Sequence, residues 1–130
     1  MKILVVDDET DVRTLFEQRF RREIRSGQFS FSFAYSGEDA LTYLREHASE
    51  VVLILSDINM PGMSGLELLK RIKQQYPAPP PTPQVMMITA YGDDESYRQA
   101  MQLGANDFLT KPVDFAALKE KLTLLASHEN

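Results

Sequence analysis

The apolar run Val51-Val52-Leu53-Ile54-Leu55 constrains the fold more than any other stretch of this chain. With no polar position in it, the run suits a strand buried on both faces, the kind found at the centre of a parallel sheet. It continues into Ser56-Asp57-Ile58-Asn59-Met60-Pro61-Gly62, where Pro61 and Gly62 force the chain into a turn. Asp57 is thereby delivered to the carboxyl end of a buried strand, the edge at which open α/β sheets carry their chemistry. A carboxylate there costs free energy unless it has a partner or a task.

Similar runs recur with helix-like segments between them. Residues 2–6 read as a first strand. Residues 11–25 are amphipathic, with Val12, Leu15, Phe16, Phe20 and Ile24 at helical spacing, and predict one long helix. From Phe29 to Tyr35 aromatic and small residues alternate, which predicts a half-buried strand near a sheet edge. Helices are expected over 37–47, 65–76, 94–103 and 115–126, and strands over 51–56, 85–89 and 107–109. Gly104 reads as the C-terminal cap of the helix before it. Five strands alternating with five helices predict a doubly wound parallel α/β sheet with helices on both faces. The proline-rich stretch from Pro77 to Pro83 falls before the fourth strand. It reads as a stiff surface insertion, with a dock for a proline-recognising partner as the less favoured reading.

Bulk properties narrow the classes of function. A chain of 130 residues with 14 basic and 19 acidic side chains carries a net charge of -5, which disfavours non-specific nucleic-acid binding. There is no cysteine, so disulfides, thiol catalysis and zinc-thiolate sites are excluded. No apolar stretch approaches the roughly 20 residues of a membrane span. No signal peptide is apparent, and the cytoplasm is the expected compartment.

In this layout several strand ends meet at one edge. The first strand ends in Asp7-Asp8, the third in Asp57 and the fourth in Thr89-Ala90, and the fifth runs into Lys111-Pro112. Taken singly, each residue has a plainer role. Asp8 or Asp11 could start the first helix, an aspartate before a turn is usually a turn former, and Thr89, Lys111 and Pro112 could be an ordinary strand end, a solvated lysine and a loop proline. Together they supply three carboxylates, a hydroxyl and an amine. Carboxylates packed together repel, and a hard divalent cation relieves them. Oxygen-only ligands favour magnesium, with manganese as a substitute. The backbone carbonyl of Asn59 is the best placed further ligand. Such a site suits a phosphoryl group, and an aspartate can itself act as nucleophile.

The chain resembles the receiver (phosphoacceptor) domain of two-component response regulators. The resemblance runs from Ile3-Leu4-Val5-Val6-Asp7-Asp8-Glu9 to the last helix. It is carried by Asp7-Asp8, Asp57 with Met60-Pro61-Gly62, Thr89-Ala90 and Lys111-Pro112, with no departure at these positions. It implies a flavodoxin-like fold with strand order 2-1-3-4-5. It also implies that Asp57 accepts a phosphoryl group from a phosphohistidine of a sensor histidine kinase or phosphotransfer protein. Asp7, Asp8, Asp57 and the Asn59 carbonyl would hold magnesium, Lys111 would pair with the phosphoryl group, and the Lys111–Pro112 bond would be cis. Thr89 would swing toward the phosphoryl oxygens with Phe108 turning in behind it, reshaping the face of the fourth helix, fifth strand and fifth helix for a partner or a second copy of the chain. Asn59 and Tyr91 would tune the lifetime of the acyl phosphate, with neither an acid placed to orient water.

On this reading residues 1–126 form the receiver, and 127–130 are a tail or the start of a linker. The domain is a switch module rather than an enzyme, catalysing only its own phosphoryl transfer and dephosphorylation. A magnesium-dependent phosphohydrolase is disfavoured because such enzymes commonly carry a second acid two residues after the nucleophile, where Asn59 stands. A receiver-like interaction module without phosphorylation would normally lack one of the acidic or lysine residues. The long first helix, basic at Arg19, Arg21, Arg22 and Arg25, and the aromatic second strand look like those of receivers attached to signalling enzymes such as nucleotide cyclases or phosphatases.

Overall fold

The computed structural model describes residues 1–47, 49–76, 83–90 and 92–127. Tyr91 and the prolines between 77 and 82 lie outside these residues. The sheet is assembled from β1 (Lys2–Val6), β2 (Ser30–Ala34), β3 (Val51–Asp57), β4 (Gln84–Thr89) and β5 (Asp107–Thr110). Its order is β2-β1-β3-β4-β5 and every pairing is parallel. The apolar run Val51–Leu55 lies in the central strand β3, and Leu53, Ile54 and Leu55 are at most 1% exposed. The aromatic strand β2 is at an edge.

Alternation along the strands sorts side chains into two cores. Leu4, Val6, Ile54, Val85 and Met87 face helices α3 (Gly37–His47), α4 (Gly65–Gln75) and α5 (Asp94–Gln102) through Ala40, Leu44, Leu68, Ile72 and Ala100. Ile3, Val5, Leu53, Leu55, Met86 and Ile88 face the other layer, where Phe16 and Phe20 belong to α1 (Asp11–Arg19) and its end, and Leu118 and Leu122 to α6 (Phe115–Ser127). A period of two in the strands thus decides which helix goes on which side.

The fold departs from expectation in its first helical segment. One helix was predicted over residues 11–25, giving five helices in all. The structure breaks it at Phe20 into α1 and the short α2 (Arg21–Arg25), giving six among the described residues. Phe20 leaves the helical region, with φ -113° and ψ 25°. Its ring is 1% exposed and packs against Phe16, Phe29, Phe31 and Phe115 at centroid distances of 5.2–6.0 Å. Leu15 and Ile24, expected inward, are 41% and 37% exposed, and Glu23 is buried instead, its carboxylate 2.7 Å from Lys119 Nζ on α6.

Helix starts near the sheet edge are fixed by side chains. The Ser64 hydroxyl accepts from the Glu67 N–H to start α4, and Asp93 accepts from the Ser96 N–H to start α5. Gly104, at φ +95°, closes α5, with the Ala105 N–H reaching back to the Ala100 carbonyl.

Candidate functional site

The carboxyl ends of β1, β3, β4 and β5 converge. Asp7 follows the last residue of β1, and Val6 pairs in register with Ser56, so Asp7 and Asp57 are brought level. Asp57 is 2% exposed. Its Oδ2 accepts from Lys111 Nζ at 2.7 Å, and its Oδ1 accepts from the Asn59 N–H at 3.3 Å. Asp7 is half-buried and accepts from the Glu9 N–H at 3.0 Å, while Asp8 is exposed. Neither Asp8 nor Asp11 caps α1: the cap position is Thr10, with no side-chain bond to the helix.

One carboxylate oxygen each from Asp7, Asp8 and Asp57 can be chosen so that all lie within 4.8 Å of one another. Burial raises the pKa of Asp7, and the charge of Asp57 adds to that, against the Glu9 N–H and the Lys111 charge, which lower it. Burial works to lower the pKa of Lys111, but the hydrogen bond and charge of Asp57, with the charges of Asp7 and Glu9, outweigh it and raise it. One ammonium thus faces three carboxylates. The donor set is oxygen-only and short of positive charge, which fits a hard divalent cation of the magnesium class.

Thr89 is 6% exposed, and its hydroxyl donates to the Leu109 carbonyl at 3.3 Å, away from Asp57. Phe108 is half-buried, its ring centroid 4.4 Å from that of Tyr97 on α5. The Lys111–Pro112 bond is cis. Asn59 is exposed beside Asp57. Beside Asp7 and Lys111 an open cavity of about 870 Å³ runs between α1 and the start of α6, lined by Val12, Leu15, Pro112 and Phe115 among others.

Two residues escaped sequence reading. Gly65 lies against β3 so closely that a Cβ there would meet the Asp57 carbonyl oxygen and stand 2.7 Å from Ile58 Cα. Its signal was a glycine in the first turn of a helix, where nothing about helix formation asks for one. Tyr97 touches Phe108 from another element, and no local pattern announces that contact.

Comparison with known proteins agrees with this geometry. The family model described as the response regulator receiver domain matches residues 3–123. The transcriptional regulatory protein ZraR of Salmonella typhimurium is 36% identical over 126 residues, 97% of this chain and 26% of that protein. The response regulator protein PilR of Pseudomonas aeruginosa is 40% identical over 122 residues, 92% of this chain and 24% of that one. The chain therefore spans about a quarter of the length of these relatives. Among solved structures, the receiver domain of NtrX from Brucella abortus superposes with a TM-score of 0.79 at 31% identity, covering 98% of this chain and 99% of that one. A response regulator receiver domain protein from Clostridium thermocellum gives a TM-score of 0.83 at 26% identity, covering 98% and 95%. With a flavodoxin-like sheet, an acidic cluster at its carboxyl edge and a family match over nearly its whole length, the chain belongs to the response regulator receiver domains of two-component signalling.

Proposed function

We propose that Asp57 is the phosphoacceptor of this receiver and that phosphorylation there drives the domain as a signalling switch. The observation that carries the reading is the Lys111 ammonium 2.7 Å from Asp57 Oδ2, with Asp7 and Asp8 alongside. A carboxylate oxygen of Asp57 attacks the phosphorus of a phosphohistidine. The new O–P bond forms as the P–N bond breaks, and the histidine of the kinase or phosphotransfer protein leaves with its electron pair. Lys111 moves from the free carboxylate to a phosphoryl oxygen, keeping a charge-assisted hydrogen bond throughout. Asp7, Asp8, Asp57 and the Asn59 carbonyl would hold magnesium, or manganese in its place. That ion, when bound, offsets the charge of the carboxylates and of the transferring phosphoryl group.

The phosphorylated side chain carries about -1.5 to -2 charges at neutral pH. It can therefore draw the Thr89 hydroxyl from the Leu109 carbonyl, and Phe108 follows into the space vacated. Asn59, two residues after Asp57, and Tyr91, two residues after Thr89 in the sequence, would tune the lifetime of the acyl phosphate. Residues 1–126 act as the receiver, in the cytoplasm where its kinase donor works. Exposed Tyr97, Met101 and Leu124 lie on α5 and α6, the face offered to an output partner or a second copy. The names of ZraR and of the DNA-binding transcriptional regulator NtrC favour transcription as the output over an attached cyclase or phosphatase.

Acetyl phosphate or phosphoramidate with magnesium, followed by intact mass measurement, tests the assignment. The expected result is a gain of one phosphoryl group that is absent in Asp57→Asn. An unmodified wild-type protein would overturn it, and steady turnover of varied phosphate esters would point to a phosphohydrolase.

A further inference from the structure

Phe108 has no hydroxyl with which to fix its ring by a hydrogen bond. Its specific tie is to Tyr97: the centroids are 4.4 Å apart at an interplanar angle of 46°, and no other aromatic ring among the described residues pairs with Phe108. Phe108 sits in β5 next to Leu109, whose carbonyl holds the Thr89 hydroxyl. Thr89 and Thr110 are register partners, and so are Met87 and Phe108, so the two strands present Thr89 and Phe108 close together. The Tyr97–Phe108 pair thus coexists with the arrangement in which Thr89 is turned away from Asp57.

We propose that Tyr97 is a positioning residue of the switch: its ring holds Phe108 in the resting arrangement, and the pair must open before Thr89 can turn to a phosphorylated Asp57. This rests on the phosphoacceptor reading of Asp57 and adds to it the element that opposes the switch. An aromatic pair is worth more than its buried area alone, equivalent to about a two- to ten-fold bias in an equilibrium constant. Coupling is reciprocal, so whatever holds the resting state also weakens binding of a phosphoryl group at Asp57. Tyr97 is 41% exposed on α5, so the same ring carries the state of the switch to the surface.

The test is calorimetric titration of the whole chain with beryllofluoride, a phosphoryl mimic, in magnesium. Tyr97→Leu keeps apolar bulk but loses the ring, and is expected to bind about two- to ten-fold more tightly than wild type. Tyr97→Phe keeps the ring and is expected to stay within about twofold of wild type, since the phenol oxygen is not part of the ring contact. In a Phe108→Leu background, Tyr97→Leu is expected to lose its effect, because the pair is already broken. Equal or weaker binding by Tyr97→Leu, a Tyr97→Phe that behaves like Tyr97→Leu, or an undiminished effect without Phe108 would each overturn the proposal. Failure of the wild type to bind beryllofluoride would instead bring down the phosphoacceptor reading itself, and this proposal with it.

Discussion

Gly65 sets how closely α4 approaches the strand that carries Asp57. Propensity alone favours alanine over glycine in a helix by about 0.5–1 kcal/mol. At Gly65 that preference is overridden, because an added Cβ would collide with the Asp57 carbonyl oxygen and with Ile58 Cα, and backbone cannot step aside as a side chain can. Gly65→Ala is expected to lower stability by about 1–3 kcal/mol, as overpacking does, and to slow phosphorylation by shifting Asp57. Gly37 is the control. A Cβ there would meet the Met63 side chain, with Sδ at 2.6 Å, and a flexible thioether can yield. Gly37→Ala should therefore move the urea midpoint far less than Gly65→Ala. Equal losses would mean that closeness to β3 is not what Gly65 provides. The contrast marks what was readable in advance. Asp7, Asp57, Thr89 and Lys111 announce themselves by residue type at the ends of apolar runs. Gly65 and Tyr97 act through a single contact to a distant element, which type and spacing do not encode.

At the scale of elements, the strands and most helices follow from periodicity, and the exception is physical. Residues 11–25 do satisfy a helical period, yet the chain leaves helical geometry at Phe20, whose ring is buried among Phe16, Phe29 and Phe31. Glu23 rather than Ile24 is buried, and its carboxylate meets Lys119 of α6 at 2.7 Å. The hydrogen bond from Lys119 lowers the pKa of Glu23, against the effect of burial. A carboxylate whose folded value is depressed stabilises the protein above its unfolded value, and that contribution is lost as pH falls through the folded one. Glu23→Gln keeps the shape and removes the charge. It is expected to cost about 1 kcal/mol near neutral pH, discounted because Lys119 is half exposed. The gap between wild type and variant should hold steady down to the ordinary glutamate value of 4.5 and close below it. Urea denaturation across that range measures it, and a gap that widens on acidification would reverse the assignment.

For the molecule as a whole, the parallel sheet stabilises the fold through two apolar cores and gathers at one edge charges that oppose each other. Asp7 records the cost. Its pKa is raised above the ordinary 3.8, chiefly by burial, so the charged form is disfavoured in the native state. Without a divalent cation this group therefore lets the fold gain stability as pH falls through the raised value toward 3.8, the opposite sense to Glu23. Asp7→Asn keeps an oxygen to accept the Glu9 N–H and removes the charge. The variant should melt at a higher temperature than wild type in metal-free buffer at neutral pH. A cation held by the native cluster and not by the unfolded chain stabilises in proportion to the logarithm of its concentration. At ten times its dissociation constant, magnesium should add about 1.4 kcal/mol, which for a domain of this size raises the melting temperature by about 4–6 °C. Asp7→Asn should lose most of that response, so that wild type overtakes it as magnesium is added and the two melting curves cross. A variant that is less stable than wild type in metal-free buffer, or that keeps the full response to magnesium, would show that Asp7 is neither the strained charge nor the ligand that its position between β1 and Asp57 makes it.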